Sequence, residues 1–309
     1  MCIRDRPRGE SVLAMKSGFV AIVGRPNVGK STLLNRLLGF KISIVSDKPQ
    51  TTRNRILGVH HSDEGQVIFV DTPGIHKPGF LLNERMMENV YQAIRDVDLL
   101  VHMVDASEPF GKGEQFALDL VGKSEKPCFL LLNKIDAINK GKVLPMIEFY
   151  HENGAYTEII PASALDGTNV DLLITKIMEH LPEGEPLYPE DYETDKTERF
   201  LAAELIREKV LVRTRQELPY STAVQIEEFD ESRREEGFVR ITASIIVDKP
   251  GQKKIVIGRG GKMIKDIGVS ARKEIESLLG VKQIYLDLNV KVLPEWRNHQ
   301  HLLNELDLT

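Results

Sequence analysis

Residues 24–32 read GRPNVGKST and match the pattern G-x-x-x-x-G-K-[ST] from Gly24 to Ser31. The run before it, FVAIVG, is apolar and β-branched, and the run after it, KSTLLNRLLG, has apolar residues at helical spacing. A strand, a glycine turn and a helix in that order are the context of a phosphate-binding loop. Gly24 and Gly29 let backbone N–H groups face phosphates, aided by the helix N-terminus. Arg25, Pro26, Asn27 and Val28 form the body of the loop. Lys30 is placed to neutralise β- and γ-phosphate charge, and Ser31, with Thr32 behind it, to offer a hydroxyl to magnesium.

The same alternation continues downstream. QVIFVD, DLLVHMVD, PCFLLLNK and TEIIPAS read as strands, while NERMMENVYQAIRDV, EQFALDLVG and NVDLLITKIMEHL have helical spacing. Apolar strands alternating with helices predict an α/β fold, a mostly parallel, doubly wound sheet. Ligands in such folds bind beyond the carboxyl ends of the strands.

Three further fragments stand at strand ends. DTPG, Asp71–Thr72–Pro73–Gly74, follows VIFV, where a magnesium-coordinating acid belongs. NKID runs from Asn133 through Lys134 to Asp136, whose carboxylate can accept both the N1–H and the exocyclic amine of guanine. SAL, Ser163–Ala164–Leu165, can present a backbone N–H to the guanine oxygen. Four fragments in this order mark GTP as the nucleotide. The residue after Gly74 is Ile75, which cannot orient a water by hydrogen bonding as a glutamine would, and His76 beside it reads as a solvated loop residue. Slow intrinsic hydrolysis is expected.

A second glycine turn, GRGG at Gly258–Arg259–Gly260–Gly261, has no G-K-[ST] and has helical periodicity on both sides. A G-x-x-G between two helices can clamp the backbone of a nucleic-acid single strand, as in KH domains. Lys253, Lys254, Arg259, Lys262 and Lys265 can meet phosphates, while Ile255, Ile257 and Ile264 could form an apolar platform for bases. The surrounding order of elements is α-β-β-α-α-β, a small α+β domain.

Charge is distributed accordingly. The net charge is -5, which argues against coating nucleic acid by bulk attraction. Yet Lys249–Lys265 holds six bases and no acid, whereas Glu183–Arg199 holds seven acids against two bases. The acidic, proline-containing stretch reads as a linker. The expected organisation is therefore a non-native or disordered extension over 1–14, a nucleotide domain over 15–182, a linker over 183–198 and a nucleic-acid-binding domain with its tail over 199–309. Two cysteines make no disulfide framework, and no apolar stretch is long enough for a membrane span. His299 and His301 lack convergent partners and read as solvent-facing.

These motifs resemble the Era-like family of ribosome-assembly GTPases, which joins a GTPase domain to a type II KH domain. GRPNVGKSTLLN, PQTTR (Pro49–Arg53), GRGG and VKVLPEWR (Val290–Arg297) carry the likeness, which spans nearly the whole chain from Met15. The resemblance implies that PQTTR is switch I, with Thr51 or Thr52 reaching magnesium only when a γ-phosphate is present. Asn27 is similar to the residue that helps hold potassium in related GTPases, so Mg2+ and K+ are the cofactors to test. Lys30, Asn27, Thr51, Thr52 and Gly74 are the expected catalytic set; Ser31, Thr51, Thr52 and Asp71 the metal set. The implied partners are GTP and GDP, the 3′ end of small-subunit (16S) ribosomal RNA and the assembling small subunit. The family also implies a cytoplasmic protein with peripheral association at the inner membrane. A monomer is expected, since no hydrophobic repeat demands an oligomer. The alternative is a GTP-dependent signalling switch whose C-terminal domain recruits a protein or membrane surface.

Overall fold

The computed structural model describes residues 15–48, 51–75, 79–214, 218 and 221–308. The extension 1–14, Pro49, Gln50 and His76 lie outside the described residues.

The first domain is built on a six-stranded sheet. Its strands are β1 (Lys16–Val23), β2 (Ile56–Ser62), β3 (Gly65–Asp71), β4 (Leu99–Asp105), β5 (Cys128–Asn133) and β6 (Glu158–Pro161). They lie in the order β2-β3-β1-β4-β5-β6, and every pairing is parallel except the β2-β3 hairpin at the edge. Period-2 alternation sends β1 side chains to opposite faces. Val20 and Ile22 pack with Leu33, Leu34 and Leu37 of α1 (Lys30–Leu38) and Leu173 and Ile177 of α5 (Val170–His180). Ala21 and Val23 pack with Met87 and Val90 of α2 (Leu81–Asp96) and Ala117 and Val121 of α3 (Lys112–Val121). Burial on both faces is why these strands read as unbroken apolar runs. Helix α4 (Val143–Asn153) covers the far end of the sheet through Tyr150.

The acidic segment after α5 does not hang free. Tyr188 and Tyr192 stack on each other with ring centroids 4.6 Å apart and pack over Leu57, Val59 and Ile68. Gln66 holds the segment by accepting from the N–H groups of Leu187 and Tyr188 at 2.9 and 3.0 Å. Its charges face water while its tyrosines cover the β2-β3 edge.

The second domain has its own sheet, β7-β8-β9, formed by Thr222–Asp230, Phe238–Val247 and Gln283–Val292. The β7-β8 pair is antiparallel and the β8-β9 pair parallel. Across it lie α6 (Glu198–Arg213), α7 (Pro250–Ile257) and α8 (Lys262–Leu279), giving the expected α-β-β-α-α-β order. Helix α8 presents Ile267, Ala271, Ile275 and Leu279 to the core at i, i+4, i+8 and i+12. Helix α9 (Gln300–Glu305) closes the described chain, and no helix among the described residues is long and apolar enough to cross a membrane.

The two domains share a core. Trp296 is fully buried among Leu82 and Met86 of α2, Ala223, Ile246, Leu302, Leu303 and Leu308. Its indole N–H donates to the Ser221 carbonyl at 2.9 Å, and the Arg53 guanidinium lies over its ring, 5.5 Å from the centroid. Trp296→Ala should cost ~3–5 kcal/mol, the usual loss for a fully buried large aromatic. Chemical denaturation followed by circular dichroism measures it, because Trp296 is the sole tryptophan; an unchanged midpoint would contradict this packing.

Candidate functional site

The loop from β1 to α1 makes one wall of a cavity of about 620 Å3, beyond the carboxyl ends of the central strands. Helix α1 has no side-chain N-cap, so its first-turn N–H groups remain available to an anion. Gly29 is required: its φ is +105°, and a Cβ there would stand 2.4 Å from the Asn133 amide nitrogen. Gly24 is equally constrained, with a Cβ position 2.3 Å from the Met103 carbonyl.

Lys30 is 6 % exposed and donates to the carbonyls of Gly24 and Arg25 at 3.1 and 2.9 Å. Burial lowers its ammonium to about 8, against the opposing pull of Asp71 and Glu114. An anion in the cavity would raise it again.

Opposite Lys30 a set of oxygens converges. The Ser31 hydroxyl lies 2.8 Å from the Thr52 hydroxyl and donates to Asp71 Oδ2 at 3.1 Å. Ser43 donates to the same oxygen at 2.9 Å. Asp71 is fully buried, its other oxygen Oδ1 has no hydrogen-bond partner, and burial raises its pKa. Two hydroxyls and one carboxylate with an unused buried oxygen fit magnesium, which takes hard oxygen ligands from a few side chains and completes its shell with water and phosphate. Thr51 is not part of this set. Its hydroxyl donates to the Lys48 carbonyl at 2.6 Å, so of the paired threonines the structure brings Thr52, not Thr51, to Ser31.

Other expected residues act on the loops themselves. Asn133 donates to the Val28 carbonyl at 2.7 Å and accepts from the Ala164 N–H at 2.8 Å, tying the phosphate loop to the β6 loop. The Ser163 N–H is held by Thr168 O at 3.0 Å, so a guanine oxygen would share the Ala164 donor with Asn133. Lys134, at φ +66°, donates to the Asn27 carbonyl at 2.8 Å and to Asp105 at 2.5 Å. Asp136 follows, exposed, on the short turn Ile135–Ala137. Asn27 donates its amide to the Asp47 carbonyl at 2.7 Å, joining the phosphate loop to the segment before Thr52. Thr72 donates to the Ile22 carbonyl at 2.8 Å, and Ile75 is a core residue whose N–H meets the Gly24 carbonyl at 3.0 Å. Neither side chain faces the cavity. Gly74 does line it, packed against Pro26 so closely that a Cβ would come within 2.7 Å. Arg25 and Thr32 also line it.

Several residues that sequence reasoning passed over contribute. Ser43 braces Asp71, Asp105 and Glu108 line the cavity, and Arg36 donates to the carbonyls of Ala164 and Leu165, steadying the β6 loop. Only Asp105 carried a usable sign, an acid ending an apolar strand.

The second glycine turn forms a 3-10 turn, Arg259–Gly261, between α7 and α8. Gly258, Gly260 and Gly261 all have left-handed φ, of +74°, +60° and +75°. A Cβ at Gly258 would meet Met263 at 2.6 Å, whereas Gly260 and Gly261 face open space. Lys254, Arg259, Lys262 and Lys265 are exposed around it, with Lys253 half-buried. A groove of about 280 Å3 begins beside the turn, lined by Ile264, Lys265, Gly268, Val269 and Arg272 of α8 and Leu286 and Leu288 of β9. Of the three isoleucines expected to form a platform, only Ile264 lines this groove; Ile257 packs on the core and Ile255 is exposed elsewhere. The leucines of β9 took the expected place, and their sequence distance from the turn concealed them. His301 is exposed beside Glu305, and among the described residues no group of His, Cys, Asp or Glu could hold a metal on its own.

Comparison with known proteins finds a family for each part of the chain. Residues 19–134 match a family described as 50S ribosome-binding GTPase, and residues 217–297 match the KH domain family. GTPase Era of Geobacter metallireducens is 49 % identical over 294 residues, 95 % of this chain and 98 % of that protein. GTPase Era of Halothermothrix orenii is 48 % identical, covering 95 % and 99 %. Among solved structures, Era in complex with MgGDPNP and nucleotides 1506–1542 of 16S ribosomal RNA aligns with a TM-score of 0.92, at 44 % identity over 96 % of this chain and 99 % of that one. An Aquifex aeolicus Era variant bound to GDP and aluminium fluoride aligns with a TM-score of 0.91, also at 44 % identity, over 96 % and 100 %. Similarity of this extent over 95 % of the chain means that the chain belongs to the Era family of GTPases.

Proposed function

We propose that this chain is a GTP-hydrolysing switch that binds the 3′ end of 16S ribosomal RNA through its KH domain and assists small-subunit assembly. The observation that carries the reading is the end-to-end alignment, at a TM-score of 0.92, with Era holding MgGDPNP and a 16S segment. Both ligand-facing features, the oxygen set at Ser31–Thr52–Asp71 and the open GRGG turn, occur here in one chain. The 50S wording belongs to the broad G-domain family; the KH turn and the 16S ligand of the relative favour the small subunit. Residues 15–182 then form the GTPase domain, 183–198 the linker and 199–309 the KH domain.

In this reading Lys30 neutralises the β- and γ-phosphates, and the α1 N-terminus receives their oxygens. Ser31 and Thr52 would hold Mg2+, with Asp71 accepting from the Ser31 hydroxyl; the ion would supply charge neutralisation at the β- and γ-phosphates. Asp136 accepts from guanine while Asn133 and Lys134 hold its loop. Ile75, buried in the core, leaves no glutamine to orient water, so unassisted turnover is slow. Asn27, exposed at the junction with switch I, is the candidate potassium ligand. Peripheral association with the cytoplasmic face of the inner membrane is carried over from the family alone.

Thr52→Ala should lower magnesium-dependent GTP hydrolysis by roughly 10²-fold, the scale of losing one transition-state contact. Thr51→Ala should change it less than about threefold, as expected for one exchanged hydrogen bond. Single-turnover phosphate release distinguishes them, and equal effects would refute the assignment. Replacing sodium by potassium should accelerate the same reaction in the wild type and not in Asn27→Ala; indifference to the cation would remove potassium from the mechanism.

The RNA reading is tested by fluorescence anisotropy with a short strand from the 16S 3′ end. Binding should be tight with a non-hydrolysable GTP analogue, weaker with GDP, and lost in Gly258→Asp/Gly261→Asp, where two carboxylates meet the phosphate path. Binding that ignores both nucleotide and glycines would favour the signalling-switch reading.

A further inference from the structure

Two consecutive residues of α6, in the second domain, hold the segment that carries Thr52 at both of its ends. Arg207 Nη2 donates to the Thr51 carbonyl. Glu208 Oε1 accepts from the Val45 N–H at 3.0 Å. Neither side chain is free to do otherwise. Arg207 is 2 % exposed and is fixed by Glu204 at 2.7 and 2.5 Å. The other oxygen of Glu208 is shared between Lys41 at 2.7 Å and Lys209 at 2.6 Å, and both lysines also reach Glu274 on α8.

The contact with Thr51 has a specific geometric effect. The Thr51–Thr52 peptide is planar, so anchoring its carbonyl oxygen also fixes the Thr52 nitrogen and narrows the direction of the Thr52 side chain. That side chain is the one that meets Ser31. The Val45 contact fixes the other end, beside Asp47, whose carbonyl takes the Asn27 amide. Thr51, Thr52, Arg53 and Asn54 are all buried.

We propose that Arg207 and Glu208 are positioning residues for Thr52, so that the nucleotide site is complete only with the second domain docked. The proposal rests on the reading that Thr52 ligates magnesium when a γ-phosphate is present.

The test uses the full chain, fluorescent GDP, a fluorescent non-hydrolysable GTP analogue, and titration with magnesium. Arg207→Ala and Glu208→Ala should each raise the magnesium concentration for half-maximal analogue binding by about tenfold, the scale of one charge-assisted hydrogen bond. The value for GDP should stay within about twofold, because Thr52 does not serve the diphosphate complex. Glu208→Gln should recover part of the loss, since its amide oxygen still accepts from Val45 while its NH2 cannot accept from Lys41 or Lys209. Arg207→Lys should not, because one ammonium cannot keep both Glu204 and Thr51. These two milder variants carry the test should the alanine variants lose cooperative melting. Equal shifts for GDP and analogue would mean general loosening and would overturn the proposal, as would no shift in either. A wild type whose analogue binding ignores magnesium would instead refute the Thr52 reading, and the positioning role with it.

Discussion

A buried ammonium constrains the nucleotide site. Lys30 sits at the first turn of α1 with carbonyls on one side and Asp71 at a distance, an environment that disfavours its charge until an anion arrives. Everything that surrounds it serves to keep an anion's place open. The glycines bring backbone close without side chains, α1 withholds a cap, and Asn133 and Lys134 pin the loop from the far strand. The loop is therefore held by the sheet as a whole rather than by its own residues, which is why four separate strand ends must be present for one site.

The second constraint is the shared core around Trp296. Leu82, Met86 and Arg53 of the first domain lie covered by the second domain. Arg53 illustrates the cost. Burial and the neighbouring Arg207 and Arg297 disfavour its charge, with Glu204 opposing them. It is stabilised by the Thr222 carbonyl at 2.8 Å and by the indole face. Such an interface tolerates little sliding, because the arginine has few acceptable positions.

Much of this was legible in the sequence, for identifiable reasons. Strands buried on both faces and helices with one apolar stripe announce themselves by period, so the five parallel strands and the α-β-β-α-α-β order were readable. Strand β2, ILGVHHS, was not: it lies at the edge, with His60 and His61 on its half-exposed end, and mixes the apolar and polar signals. Helix α4, VLPMIEFYHEN, carries a proline in its first turn and buries only Tyr150, so its stripe is faint. At the site, glycine and lysine spacing named the phosphate loop because the chemistry is local. The choice between Thr51 and Thr52 was not readable: it depends on which hydroxyl meets Ser31 across the fold and which turns back to the Lys48 carbonyl. The groove beside GRGG was missed on one side for the same reason, as β9 comes from beyond α8.

Helix α8 links the second glycine turn to the side chains around Glu208. It begins at GRGG and carries Glu274, which holds Lys41 and Lys209 beside Glu208. The separation is 12 residues from Lys262, about 18 Å along a helix. A rigid helix transmits a displacement over that length with little loss, so an RNA strand at the turn and a γ-phosphate at Thr52 would act on one assembly of side chains. Their mutual influence cannot exceed the difference in contacts that each ligand makes in the docked and undocked arrangements. A coupling of about 1–3 kcal/mol, or 5- to 150-fold in affinity, is the usual range and lies within what a few charge-assisted hydrogen bonds can supply. Reciprocity then requires that whatever the triphosphate does to RNA affinity, RNA does equally to triphosphate affinity. The lysines and glutamates between α6, α8 and Lys41 are where the two effects would meet.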